Sequence, residues 1–200
     1  MSEGRLEERA SYSSLVTHYS LPLMAINGIF VLAELTGPVA ARIRAIQERY
    51  DPKLARLTPP HVTITGSSGV GIMSPSTPVA RLREVLEPIA ATTPPLTLHF
   101  GPPMRFMQSE IVSLPLDPHG PLRELHERIA TSGLQFERAR FPFTPHATLS
   151  FYPVLTPKAA RELLGVRVTE PVVIDRLQAY HTMDPQPARK ILEVELKGEE

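Results

Sequence analysis

The sequence predicts an α+β fold of two pseudo-symmetric lobes, each built of strands and helices, facing each other across a central groove. Three observations carry this reading. Pro60-His61-Val62-Thr63-Ile64 recurs 85 positions later as Pro145-His146-Ala147-Thr148-Leu149. Two further pairs of markers recur in the same order at similar offsets: Gly37-Pro38 with Gly120-Pro121, and Thr77-Pro78 with Thr156-Pro157. Short apolar or alternating runs separated by these markers read as strands, and the markers open helices. Near-constant offsets over independent markers indicate an internal duplication.

The elements follow in order. Gly28 to Leu35 is an apolar run with the character of a buried strand. Gly37-Pro38 opens a helix to about Tyr50, because proline suits the first helical turn and Val39, Ile43 and Ile46 share one face. His61 to Thr65 alternates and reads as a half-buried strand, Gly66 to Gly71 as a flexible loop rimming the site. Ser76-Thr77-Pro78 supplies a capping hydroxyl and a first-turn proline for a helix to about Ala91, and Leu96 to Phe100 is a strand. The second half repeats the plan. Ile111 to Leu116 is a strand, and Gly120-Pro121 opens a helix with Leu122, Leu125 and Ile129 on one face. His146 to Phe151 is a strand, Thr156-Pro157 opens a helix to about Leu164, and Val172 to Tyr180 and Ile191 to Leu196 close the chain as strands.

Composition bounds the function. Two hundred residues fit residues 21–200 as a single bilobal domain behind a polar lead-in over residues 1–20. With 21 basic and 21 acidic residues the net charge is zero, which excludes coating of long nucleic acid by overall charge but permits a short oligonucleotide substrate. There is no cysteine, hence no disulfide, thiolate metal site or thiol nucleophile. Met1 to Ala10 has no apolar core and so does not read as a signal peptide, and the apolar run Leu21 to Leu35 is too short to span a membrane. A cytoplasmic, monomeric protein is the expectation, with no protein partner to be inferred.

In a strand, residues i and i+2 share a face at roughly 6.5 Å spacing, so each His–Thr pair points to one side. Two imidazoles brought to one groove, one basic and one acidic, suffice for metal-free phosphoester chemistry. Of seven histidines, only His61 and His146 have Thr two positions on. His119 and His126 read as solvated positions on or beside a helix, and His99 as the polar face of its strand. Phe106 and Tyr152 are candidates to stack a base, Phe143 reads as core, and His181 is a candidate supporting residue near the groove. No metal and no cofactor is called for: two histidines under-fill a zinc site, and no carboxylate or further histidine sits beside either motif.

Phe143-Thr144-Pro145-His146-Ala147-Thr148-Leu149 and Pro60-His61-Val62-Thr63-Ile64 resemble the paired motifs of the two-histidine (2H) phosphoesterase superfamily, most closely its 2′-5′ RNA ligase-like and cyclic phosphodiesterase branch. The similarity spans about Gly28 to Leu196. It implies a LigT-like fold with antiparallel sheet in each lobe. It further implies His61 and His146 as catalytic, Thr63 and Thr148 as phosphate-binding, and hydrolysis of 2′,3′-cyclic or 2′-5′ phosphodiesters of RNA ends, oligonucleotides or small nucleotides. Reversible 2′-5′ RNA ligation is the same chemistry run backwards. The chain departs from the pattern after the second motif, where Ser150-Phe151-Tyr152-Pro153 stands instead of a nearby basic residue; Arg105, Arg138 and Arg140 are the cations that could compensate. A non-catalytic RNA-end or nucleotide binding module with the same groove is the alternative of a different class.

Overall fold

The structure, a computed structural model, describes residues 26–106 and 109–199. The lead-in over residues 1–20 lies outside the described residues. The first half runs β1 (Asn27–Glu34), α1 (Gly37–Tyr50), α2 (Pro52–Leu57), β2 (His61–Thr65), α3 (Val79–Ala91) and β3 (Leu96–Leu98). The second runs β4 (Met104–Arg105), β5 (Val112–Pro115), α4 (Pro121–Ala130), β6 (His146–Ser150), α5 (Pro157–Leu164) and β7 (Val172–Ile174), followed by β8 (Arg176–Met183) and β9 (Arg189–Glu195). All strand pairings between these elements are antiparallel. One sheet has the order β2-β1-β8-β9, a second β4-β5-β6, and β3 pairs with β7.

The duplication extends to backbone detail. In the first lobe Glu34 pairs with His61, Leu32 with Thr63 and Val31 with Thr65, so one step on β1 spans two on β2. In the second, Pro115 pairs with His146, Ser113 with Thr148 and Val112 with Ser150, with the same irregularity. A bulge of this kind turns the following side chain away from the alternation. Thr65 and Ser150 are accordingly fully buried, and only the His and the first Thr of each motif remain on the groove side. The strand starts match too: Leu35 N–H donates to the Pro60 carbonyl and Leu116 N–H to the Pro145 carbonyl, each at 2.9 Å.

The lobes are stapled crosswise. Gln47 of α1 donates from Nε2 to the Thr148 carbonyl of β6 at 2.8 Å. His126 of α4 is bonded through Nδ1 to the Ile64 carbonyl of β2 at 2.6 Å. Asp51 joins the set: one carboxylate oxygen accepts from Phe151 N and Tyr152 N at 2.7 and 2.9 Å, the other from Leu54 N at 3.0 Å. The core beneath is aliphatic, drawing Ile29, Val31, Ile43, Val62 and Ile64 from one half and Leu114, Leu122, Leu125, Ala147 and Leu149 from the other.

Five expectations are corrected. His126 is 2 % exposed and stacks on Phe143 at 4.0 Å between ring centroids, because it shares the apolar face of α4 with Leu122, Leu125 and Ile129. The Gly66 to Gly71 loop is held against the other lobe: Gly69 N–H donates to the Phe141 carbonyl, Gly71 N–H to the Glu137 carbonyl, and Ser68 Oγ accepts from Thr144 N. Gly69 has φ +73° and a Cβ there would collide with the His126 ring, so glycine serves close approach in that loop rather than flexibility. The run Val172 to Tyr180 breaks at Asp175, since β7 pairs with β3 while β8 crosses to β1. His99 lies just past the end of β3 rather than on it. The Thr77 hydroxyl does not cap α3, whose N-cap is Pro78, whereas Thr156 does cap α5 by accepting from Ala159 N.

Asp51 is 1 % exposed and holds three backbone N–H groups, two of them in the other lobe. Asp51→Ala would orphan all three and should lower stability by about 2–4 kcal/mol, read as the urea midpoint at unchanged slope.

Candidate active site

Both His–Thr pairs open into one cavity of about 190 Å³, lined among others by His61, Thr63, His146, Thr148, Gln47 and Tyr152. The strands come together there because β2 and β6 abut under the groove and each helix grips the opposite strand.

The two imidazoles are oriented in the same way. Nδ1 of His61 lies 2.7 Å from the Pro59 carbonyl, and Nδ1 of His146 lies 2.7 Å from the Thr144 carbonyl, two residues upstream in each case. A carbonyl can only accept, so Nδ1 carries hydrogen and Nε2 is the nitrogen left for chemistry. In the neutral ring Nε2 accepts a proton; in the charged ring it donates one. The proline before each histidine favours the extended start that sets this upstream carbonyl in place.

Burial lowers the pKa of both rings below the ordinary 6.5. At His61 the Pro59 carbonyl opposes this, the His146 ring adds to it, and the Glu34 carboxylate opposes it weakly. At His146 the Thr144 carbonyl opposes it.

Of the other candidate residues, Tyr152 lines the cavity, and the Lys53 ammonium lies 3.8 Å from its ring centroid. Burial raises the Tyr152 hydroxyl, helped by the Asp184 and Asp51 carboxylates. Phe106 packs edge-on against the His146 ring at 5.0 Å, which places it beside the imidazole rather than on the cavity wall. His181 is turned away: alternation along β8 gives the cavity Thr182, and His181 Nε2 pairs with Asn27 Oδ1 at 2.9 Å. Arg105 is engaged by Glu110, while Arg138 and Arg140 are exposed. None of these arginines, and no lysine, is among the described residues lining the cavity. Among the described residues no group of three or more His, Cys, Asp or Glu is arranged to hold a metal ion, and no helix is long and apolar enough to cross a membrane.

Sequence reasoning missed Gln47, Thr58 and Asp184, which also line the cavity. Gln47 sits between Ile43 and Ile46 on one side and the helix end on the other, so its inward direction was legible only from helical spacing.

This pairing of a duplicated α+β fold with one His–Thr strand per lobe defines a class. A family model described as the 2′-5′ RNA ligase superfamily matches residues 36–184. The chain belongs to that superfamily of 2H phosphoesterases. Among solved structures, E. coli LigT complexed with 3′-AMP is similar at TM-score 0.53 and 17 % identity, covering 85 % of this chain and 98 % of that one. The protein TT0787 of Thermus thermophilus is similar at TM-score 0.55 and 12 % identity, covering 88 % and 100 %. At these identities the likeness establishes the LigT-like fold. No curated protein sequence matches the chain.

Titration of the ring carbons by NMR should show His61 and His146 both passing their midpoints below pH 6.5, and a midpoint above that value for either would contradict the burial of its ring.

Proposed function

We propose that the chain is a metal-independent phosphodiesterase that hydrolyses 2′,3′-cyclic or 2′-5′ phosphodiesters of RNA ends, oligonucleotides or small nucleotides. The observation that carries it is the matched pair of imidazoles with Nδ1 tied to backbone and Nε2 free, each beside a threonine, on one cavity. Superfamily membership supports phosphoester chemistry, and E. coli LigT complexed with 3′-AMP or with phosphate supports nucleotide phosphates as the ligand class.

In this mechanism one neutral histidine takes a proton from water through Nε2. The water oxygen bonds to phosphorus as the bond from phosphorus to the ribose 2′ oxygen breaks. The other histidine, protonated, delivers a proton to that leaving oxygen. Thr63 and Thr148 hydroxyls donate to non-bridging phosphate oxygens, where charge accumulates in the transition state. Ligation to a 2′-5′ linkage uses the same pair of groups with a ribose 5′-hydroxyl in place of water: its oxygen bonds to the phosphorus of a 2′,3′-cyclic phosphate as the bond to the 3′ oxygen breaks and that oxygen takes the proton, leaving the 2′ oxygen on phosphorus. Both histidines come from one chain, so the site is complete in a single copy.

Each histidine is asked for about 10²–10⁴-fold as a general acid or base. His61→Ala and His146→Ala should each lower kcat on the right cyclic or 2′-5′ substrate by at least about 10²-fold with the circular dichroism spectrum unchanged. Near-normal turnover in either variant would sink the two-histidine mechanism. Activity should persist in EDTA. A protein that only binds RNA ends would keep its affinity in His61→Asn and have no turnover to lose.

The pH profile follows from the direction of the shifts. kcat/KM requires one ring deprotonated and the other protonated, so it peaks between their pKa values. Both are lowered from 6.5. The profile should be bell-shaped with its maximum below pH 6.5, falling about tenfold per unit on the alkaline side; an optimum at pH 7.5 or above would contradict it.

A further inference from the structure

The cavity of about 190 Å³ is smaller than the roughly 300–1,000 Å³ of pockets that enclose a drug-sized ligand. It takes the reacting end of a substrate and not a strand, so any further nucleotides must cross its rim. One stretch of that rim is basic. The helix α2 gives the cavity Leu54 and Leu57, three residues apart on one face. Lys53 and Arg56 precede them by one residue each, so they too are three apart and form the adjoining stripe of the same helix. Both are exposed. Arg49, Arg81, Arg83, Arg123 and Lys158 each pair with a glutamate, whereas Lys53 and Arg56 pair with no carboxylate among the described residues.

A contact across the groove fixes where Lys53 stands. Its Nζ lies 3.8 Å from the ring centroid of Tyr152, which lines the cavity and belongs to the other lobe. Lys53 itself is not a lining residue, so its ammonium stands just outside the cavity, over a ring of the wall. The Asp51 and Asp184 carboxylates act on the Tyr152 hydroxyl, yet neither pairs with Lys53. Asp51 is occupied by three backbone N–H groups, and Asp184 accepts from Ile26 N. An aromatic face holds a cation weakly at an exposed site. A phosphate offers the same ammonium a full opposite charge and oxygen acceptors, and lysine meets phosphate as a mobile point charge.

Resting on the phosphodiesterase reading of the two motifs, we infer that the Lys53–Arg56 stripe docks the backbone phosphates of an RNA strand on the 5′ side of its reacting end, so that a strand is preferred to a lone nucleotide. In a strand that ends in a 2′,3′-cyclic phosphate, the nearest other charge is the phosphate on the 5′ oxygen of the same ribose. That phosphate is one nucleoside away from the histidines, and a cavity this small sets its rim at the same remove. Side chains three apart on a helix stand about 5–6 Å from each other. At that spacing Lys53 and Arg56 can meet one phosphate together or two in succession. The cavity itself offers a strand no described lysine or arginine, so attraction for its backbone falls to the rim.

Calorimetric titration of the full chain at low salt tests this without requiring turnover. The probes are adenosine 3′-monophosphate, adenosine 3′,5′-bisphosphate, and the dinucleotide of two adenosines that ends in a 3′-phosphate. The bisphosphate and the dinucleotide should each bind about fivefold more tightly than the monophosphate. Lys53→Ala should reduce both advantages to about twofold or less, and should flatten the slope of log affinity against log salt for the dinucleotide by about 0.7. Lys53→Arg should keep the advantage, since the charge is kept. Equal binding of the three probes by the wild-type chain overturns the stripe, as does an advantage that Lys53→Ala leaves in place. A dinucleotide advantage that the bisphosphate lacks would assign the gain to the second nucleoside and overturn it too. Turnover of adenosine 2′,3′-cyclic phosphate without any gain from a second phosphate would remove the stripe alone. The expected binding pattern in a chain that turns over no cyclic phosphate would remove the catalytic reading alone.

Discussion

The site depends on the bonds by which each lobe's helix holds the other lobe's motif strand. Gln47 reaches from α1 to the Thr148 carbonyl, and His126 from α4 to the Ile64 carbonyl. Neither lobe presents its histidine alone: the strand carrying His146 is set by a residue of the first half, and the strand carrying His61 by a residue of the second. Catalytic groups must be held to fractions of an ångström to act together, so a two-lobed site needs the lobes locked rather than merely adjacent. Asp51 strengthens the lock by collecting two N–H groups just past β6, and the Gly66 to Gly71 loop adds backbone bonds from the opposite side. These bonds are buried or partly buried, where an unmade partner is expensive, and this makes the arrangement specific.

Much of this was legible in the sequence, for a definite reason. The repeat at His61 and His146 and the helix openers Gly37-Pro38, Gly120-Pro121 and Thr156-Pro157 are local signals, and local structure obeyed them. What was not legible depends on contact between distant segments. His126 looked solvated because histidine is usually polar surface, although its spacing from Leu122 and Ile129 already put it on the buried face. Val172 to Tyr180 looked like one strand because its apolar pattern runs on past Asp175, yet its two parts serve different sheets. Which face of β8 meets the groove is likewise fixed by pairing with β1, because one residue of register moves a side chain to the other face; this gives Thr182 to the cavity and leaves His181 next to it in the strand. The helix α2 had a readable start in Asp51-Pro52, and its shortness hid it.

The backbone duplication is close, while the surroundings of the two histidines differ. Opposite His61 stands Glu34, whose carboxylate accepts from the Tyr180 hydroxyl and the Lys190 ammonium, each at 2.7 Å. Opposite His146 stands Pro115, with Phe106 edge-on to the ring. One imidazole thus borders an ionic network and the other an apolar wall. Burial lowers both pKa values, and the Glu34 carboxylate offsets this at His61 alone. A fold that repeats its backbone and varies its side chains can give two identical residues distinct chemical roles.

On the proposed phosphodiesterase function, the lack of any described arginine or lysine lining the cavity has a further physical consequence. In such a site the positive charge that meets an anionic substrate must come from the histidines themselves. Burial penalises that charge, which is why both rings are lowered. A phosphate group between them reverses the balance, since an opposite charge within a few ångströms favours the protonated ring. Proton uptake and substrate binding are therefore linked, each strengthening the other by the same free energy. In the proposed mechanism the lowered pKa of both rings favours their neutral forms before substrate binds, and the proton that the acid must deliver is taken up together with the substrate.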